Sequence, residues 1–146
     1  MRTAAAGGAL ILATGPELAC AARGTRMVVY KSPTCGCCKN WVDYVQANGF
    51  ATEVHDLEDV APIKQKHGVP AELASCHTAL VANYVIEGHV PTDLIQKLLK
   101  ETPAIAGLAV PGMPVGAPGM EIGARKDRYD IIAFDRQGKT SVYASR

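Results

Sequence analysis

Three of the chain's five cysteines fall within one short stretch, Cys35-Gly36-Cys37-Cys38, where a β-branched run gives way to a helical pattern. Met27-Val28-Val29-Tyr30 reads as a strand, and Lys31-Ser32-Pro33-Thr34 breaks it. From about Cys37 to Asn48, Trp41, Val42 and Val45 share one helical face, and Gly49 supplies the stop. A strand that feeds straight into a helix puts reactive side chains at the end of an α/β sheet where ligands gather.

The alternation continues. Phe50 to His55 reads as a second strand. Asp59 to His67 reads as a short helix with Val60 and Ile63 turned inward, ended by Gly68. Thr78-Ala79-Leu80-Val81 and Tyr84-Val85-Ile86 follow as strands. Pro91 then opens a helix striped with Leu94, Ile95, Leu98 and Leu99, which Pro103 stops. This order, β-α-β-α-β-β-α, predicts an α/β fold: a thioredoxin-like mixed sheet flanked by helices, its first strands parallel. Residues 104–124 hold many Gly and Pro with Met113 and Met120, and read as an ordered loop packed over the domain. Tyr129 to Phe134 and Thr140 to Tyr143 flank Asp135-Arg136-Gln137-Gly138-Lys139 as a C-terminal β-hairpin.

The N-terminal residues have a separate character. Arg2 is the only charge before Glu17, Thr3 to Thr14 is small and apolar, and Ala19-Cys20-Ala21 has the small-x-small form of a signal-peptidase site. Residues 1–21 are therefore expected to be a secretory signal peptide, and 22–146 one domain. Acylation of Cys20 is the alternative, and Glu17 sits badly with it. Gly7-Gly8 and Gly15-Pro16 count against a buried helix or a membrane span there. Export implies a compartment where disulfides persist. With 146 residues, 48% apolar and 20% charged, the chain needs no staples to be stable. A net charge of +1, no charge block and few aromatic residues give no footing for nucleic acid or an anionic membrane surface.

Loss of Cys20 leaves Cys35, Cys37, Cys38 and Cys76. Two structural disulfides would suit that number, but a small framework spreads its cysteines to close long loops. Three crowded thiols read instead as a reactive or metal-binding cluster. Cys35 and Cys38 form a Cys-x-x-Cys pair at a helix start, where free N–H groups and partial positive charge favour thiolate. Lys31 and Lys39 add positive charge nearby. Cys37 tips the balance from a two-cysteine redox cycle towards a thiophilic ion. Zinc usually wants spaced pairs, and iron–sulfur suits the cysteine count but not the spacing; Cu(I), which accepts few ligands and tolerates thioether sulfur, fits better, and the equally soft silver ion is not separated from it. Cys76 lies before the third strand, in a loop that faces the Cys-x-x-Cys site of a thioredoxin-like fold. His77 beside it is a candidate ligand or proton carrier, and Met113 and Met120 offer thioether sulfur. His89 reads as part of the turn before a helix, and His55 and His67 as solvated.

Four blocks carry a family resemblance: Lys31 to Lys39, Leu73 to Thr78, Tyr84 to Pro91, and Gly107 to Gly116 with Met113 inside it. In that order they resemble the CopG-like family, bacterial proteins from copper-resistance clusters catalogued as a metal-binding domain of unknown function. The resemblance runs from about Met27 to the C-terminus. It implies a periplasmic thioredoxin-like domain that binds copper and couples it to thiol redox chemistry, with Cys35, Cys37, Cys38 and Cys76 at the matching positions and Met113 and His77 as neighbours. Two functions are carried forward. One is a copper-binding protein that holds Cu(I) through these thiolates, with copper ions and other periplasmic copper-resistance proteins as partners. The other is a thiol–disulfide or copper-coupled oxidoreductase in which Cys35 attacks and Cys38 resolves. The metal-free form is expected to be able to close a Cys35–Cys38 disulfide.

Overall fold

The computed structural model describes residues 24–146. The expected signal segment and Cys20 lie outside the described residues. Strand β1 (Thr25–Lys31) is followed by helix α1 (Gly36–Ala47), β2 (Phe50–Asp56) and the short helix α2 (Ala61–Lys66). A single 3-10 turn, Ala71–Leu73, leads to β3 (Thr78–Val81) and β4 (Tyr84–Glu87), and then to α3 (Thr92–Glu101). The chain closes with β5 (Gly107–Ala109), β6 (Asp130–Phe134) and β7 (Thr140–Ser145).

These strands make one sheet in the order β2-β1-β3-β4-β5-β6-β7. β1 runs parallel to β2 and antiparallel to β3, with Met27 opposite Val81. β3 and β4 form an antiparallel hairpin, and β5 lies parallel to β4. The C-terminal hairpin β6-β7 joins the same sheet through an antiparallel pairing of β5 with β6. The expected α/β architecture, a mixed sheet flanked by helices with an added loop and hairpin, is therefore present.

Side-chain alternation divides the core in two. Met27, Val29, Ala79, Val81, Ile86 and Leu108 meet the buried faces of α1 (Trp41, Val42, Val45) and α3 (Leu94, Ile95, Leu98). On the other face Val85, Ala109 and Phe134 pack with Val69 and Leu73 from the segment after α2. Trp41 is fully buried, and its indole N–H donates to the Val90 carbonyl at 3.1 Å, so the ring is both packed and satisfied. The Tyr44 hydroxyl accepts from the Thr92 amide at 3.1 Å and from the Thr92 hydroxyl at 2.8 Å. That contact ties α1 to the first turn of α3, which has no side-chain cap of its own.

Two expectations need correction. Residues 107–109, expected within a loop, are strand β5: Leu108 is fully buried, and Gly107 lets the backbone fit against Val85 and the Phe134 ring. Without a side chain at 107 the strand gives little pattern to read. Helix α2 buries none of its residues, so Ile63 and the neighbouring Val60 are only half-covered. What anchors α2 is a charge, Lys64, which reaches under the sheet to Glu87 at 2.6 Å.

Because Trp41 fills the centre of the larger core, Trp41→Ala should lower unfolding free energy by about 3–5 kcal/mol. Urea unfolding followed by circular dichroism measures this, and a loss below about 1 kcal/mol would contradict the packing described.

Candidate metal centre

The end of β1 and the first turn of α1 build one side of the centre. Cys35 occupies the N-cap in an extended conformation (φ −78°, ψ 95°) and makes no side-chain cap hydrogen bond. Gly36, Cys37 and Cys38 follow as the first helical residues, so the sulfurs cluster beside amide groups with no intrahelical acceptor. Cys35 and Cys38 are joined by a disulfide, with Cα atoms 5.3 Å apart. Cys38 is fully buried, whereas Cys35 and Cys37 are partly exposed. The Cys37 sulfur lies 3.5 Å from that of Cys35. The two lysines expected to charge this junction are engaged elsewhere. Lys31 pairs with Asp56 and Lys39 with Asp43, each at 2.6 Å, yet the Lys31 charge still acts on His77 alongside the partial positive charge of the helix start.

The segment before β3 builds the other side. It brings the Cys76 sulfur to the cluster, so that the sulfurs of Cys35, Cys37, Cys38 and Cys76 all lie within 4.8 Å of one another. Cys76 also belongs to a second group with His77 and His89, whose ligand atoms meet the same limit. Its sulfur is 3.3 Å from His77 Nδ1 and 3.1 Å from His89 Nε2. Cys76 is thus common to a sulfur-only set and a mixed sulfur–nitrogen set.

Both histidines are fully buried. His77 packs on Trp41 with ring centroids 4.5 Å apart, and His89 meets His77 edge-on at 5.0 Å. His89 Nδ1 sits 2.8 Å from the Pro118 carbonyl, which can only accept, so Nδ1 carries the proton and Nε2 turns its lone pair to Cys76. His77 Nε2 is buried without a hydrogen-bond partner among the described residues. Burial, helped by His89 and Lys64, holds His77 well below the ordinary imidazole value. Burial likewise lowers His89, against the opposing pull of the Pro118 carbonyl and Glu121. Burial pushes the Cys76 thiol up to about 11, and the nearby Cys37 sulfur adds to it while the Ser75 hydroxyl opposes it. Near neutral pH the pocket therefore holds a thiol and two uncharged imidazoles, a donor set that must shed a proton when a cation arrives.

The loop between β5 and β6 lies over this pocket. Ser75 Oγ donates to the Gly112 carbonyl at 2.6 Å, and Pro118 receives His89 as described. Gly119 has a positive φ (+84°), and a Cβ there would fall 2.8 Å from the Trp41 amide and 2.9 Å from the Cys37 carbonyl, so the loop presses on the start of α1. Met113, in that loop, is 55% exposed beside an open cleft lined by Pro111, Tyr129 and Asp130. Met120 is half-buried, its amide held by the Ala117 carbonyl at 2.8 Å. The fold thus gathers the four cysteines and His77, while Met113 faces solvent. Sequence reasoning passed over His89, which it placed in a turn, and gave no part to Glu87. A histidine followed by Val-Pro before a helix carries no periodic signal, and only the β3-β4 hairpin sets it beside Cys76.

The fold and the site together define an α/β protein whose four cysteine sulfurs lie at the spacing of candidate metal ligands. A family model described as "Protein of unknown function, DUF411" matches residues 73–120. Two solved structures, "Copper resistance protein copG- Form 1" and "Form 2", each align with a TM-score of 0.80 and 42% sequence identity, covering 84% of this chain and 98% of theirs. No curated sequence matches significantly. The chain belongs to the CopG-like family of copper resistance proteins.

Both imidazoles return on unfolding to an ordinary value near about 6.5. Below that pH the unfolded chain takes up protons that the folded chain refuses, so stability present above it is lost on acidification. The loss is at most about 1.4 kcal/mol per pH unit for each histidine. Urea midpoints of metal-free protein should fall between pH 7 and pH 5, and His77→Gln should flatten the fall. Midpoints that do not move with pH would contradict a neutral, buried His77.

Proposed function

We propose that this protein holds Cu(I) outside the cytoplasm, in the periplasm, and so limits copper toxicity. The observation that carries the reading is the convergence of four cysteine sulfurs, from two distant parts of the chain, within 4.8 Å of one another. Thiolates crowded at that distance select soft ions, and Cu(I) accepts few ligands. The relatives of 42% identity are copper resistance proteins, which agrees with that chemistry. Cys35, Cys37, Cys38 and Cys76 are the proposed thiolate ligands. His77 and His89 offer nitrogen beside Cys76; of the loop's thioethers, Met120 is half-buried, and Met113 would have to turn in from solvent to serve. Signal-directed export of a domain beginning near residue 22 belongs to the same proposal, and among the described residues no helix is long and apolar enough to cross a membrane. Other copper-resistance proteins outside the cytoplasm are the proposed protein partners.

The disulfide makes binding conditional on redox state. An external dithiol reductant, itself oxidised to a disulfide, supplies the two electrons and two protons that convert the Cys35–Cys38 bond to two thiols, and only then are all four sulfurs available. Cu(I) then displaces a proton from each thiol it takes as thiolate. Closure of the disulfide removes two of the four donors, so an oxidised protein should hold the ion less tightly.

A second reading, as a thiol–disulfide oxidoreductase, has one observation in its favour: within the bonded pair Cys35 is partly exposed and Cys38 buried. That asymmetry suits an attacking and a resolving sulfur. Cys37 has no part in such a cycle. Insulin reduction by copper-free protein that survives Cys37→Ser would favour the enzyme.

Anaerobic titration of the reduced protein with Cu(I) against a competing chelator tests the main reading. Stoichiometric uptake is expected, with loss on Cys76→Ser of more than the about 10- to 100-fold that removal of a supporting group costs. Sub-stoichiometric uptake, or binding only in the micromolar range or weaker, would overturn it.

A further inference from the structure

Glu87 is fully buried at the end of β4, on the sheet face opposite the helices α1 and α3. A carboxylate there is costly unless its oxygens are satisfied. Its partners are not scattered through the core. Oε1 accepts from the Ser75 amide and from Lys64 Nζ, each at 2.6 Å, and Oε2 accepts from the Thr78 hydroxyl at 2.7 Å. Lys64 also donates to Thr78 Oγ1 at 3.0 Å, so the ammonium closes the group. Residues 75 and 78 bracket Cys76 and His77, and one side chain grips both ends of that pair. The grip extends further through Ser75, whose hydroxyl donates to Gly112 in the loop that carries Met113. Gly88, next to Glu87, leaves this path open: its φ is +70°, and a Cβ there would fall 2.7 Å from both Ser75 Cβ and the Val110 carbonyl.

We propose that Glu87, with Lys64 as its counter-ion, is the positioning residue of the centre, holding the Ser75–Thr78 segment so that the Cys76 sulfur faces Cys35, Cys37 and Cys38. Glu87 itself touches no ligand atom; it acts through the backbone on either side of Cys76. The proposal rests on the reading of the cysteine cluster as a copper site, and it explains why a buried ion pair stands there when an apolar pair would satisfy the core equally well.

The test compares Cu(I) affinity, by anaerobic chelator competition, of the reduced full chain with Glu87→Gln, Cys76→Ser and the double variant. Action through Cys76 requires that Glu87→Gln weaken binding about 10- to 100-fold when Cys76 is present, but less than about threefold once it is Ser, because coupled residues are not additive. Equal losses in both backgrounds, or no loss in either, overturn the proposal. A second readout needs no copper. Alkylation of Cys76 in reduced, metal-free protein, followed by peptide mass mapping, should quicken at least about tenfold in Glu87→Gln as the segment opens locally. An unchanged rate overturns the positioning role. Failure of the unsubstituted chain to bind Cu(I) would instead sink the copper reading and leave the alkylation rate to decide this one. If Glu87→Gln does not fold, Lys64→Met with Glu87→Met replaces the pair by apolar side chains, and the same outcomes are read on that variant.

Discussion

The contact between the Trp41 indole and the His77 imidazole joins the apolar core to the sulfur centre. Trp41 lies one helical turn after Cys38 on the buried face of α1, and His77 follows Cys76 directly. Packing the two rings together therefore fixes how far the segment before β3 stands from the start of α1. The core in this way constrains how close the loop carrying Cys76 comes to the cysteines of α1, and so the size of the pocket between their sulfurs.

The electrostatics of that pocket follow from the same burial. Imidazoles removed from water stay neutral, and a thiol removed from water stays protonated. The pocket's candidate donors are sulfur and neutral nitrogen, and the nearby Glu121 acts on His89 without being among them. Were a soft ion to bind as proposed, the metal–sulfur bond would have to outweigh the cost of removing the proton from the Cys76 thiol. The helix start contributes a modest positive potential, and Lys31, although paired with Asp56, adds to it at His77.

Much of the fold was legible in the sequence. β-branched and apolar runs located β1 to β4 and the closing hairpin, and helical stripes located α1 and α3, although β2 and β7 bury little of themselves. The cluster was legible too, because Cys35, Cys37 and Cys38 adjoin and one helical turn suffices to group them. What escaped had no local signature. Strand β5 is three residues, one of them a glycine, and its place between β4 and β6 is set by neighbours far away in the chain. His89 and Glu87 look like turn and strand-end residues until the β3-β4 hairpin folds them back onto residues 75–78. Of the two lysines read as adding charge nearby, Lys31 does act on His77, whereas Lys39 is held in an exposed pair with Asp43.

Strands β5 and β6 are immediate neighbours in the sheet, yet the chain spends residues 110–129 travelling between them, where a tight turn would suffice. The excursion is stitched to what it covers: the Val110 amide donates to the Glu87 carbonyl, Gly119 presses on the start of α1, and the Pro118 carbonyl holds His89. A change in its length or at Gly119 would therefore be transmitted straight to the sulfurs. The cover and the pocket are free to vary only together.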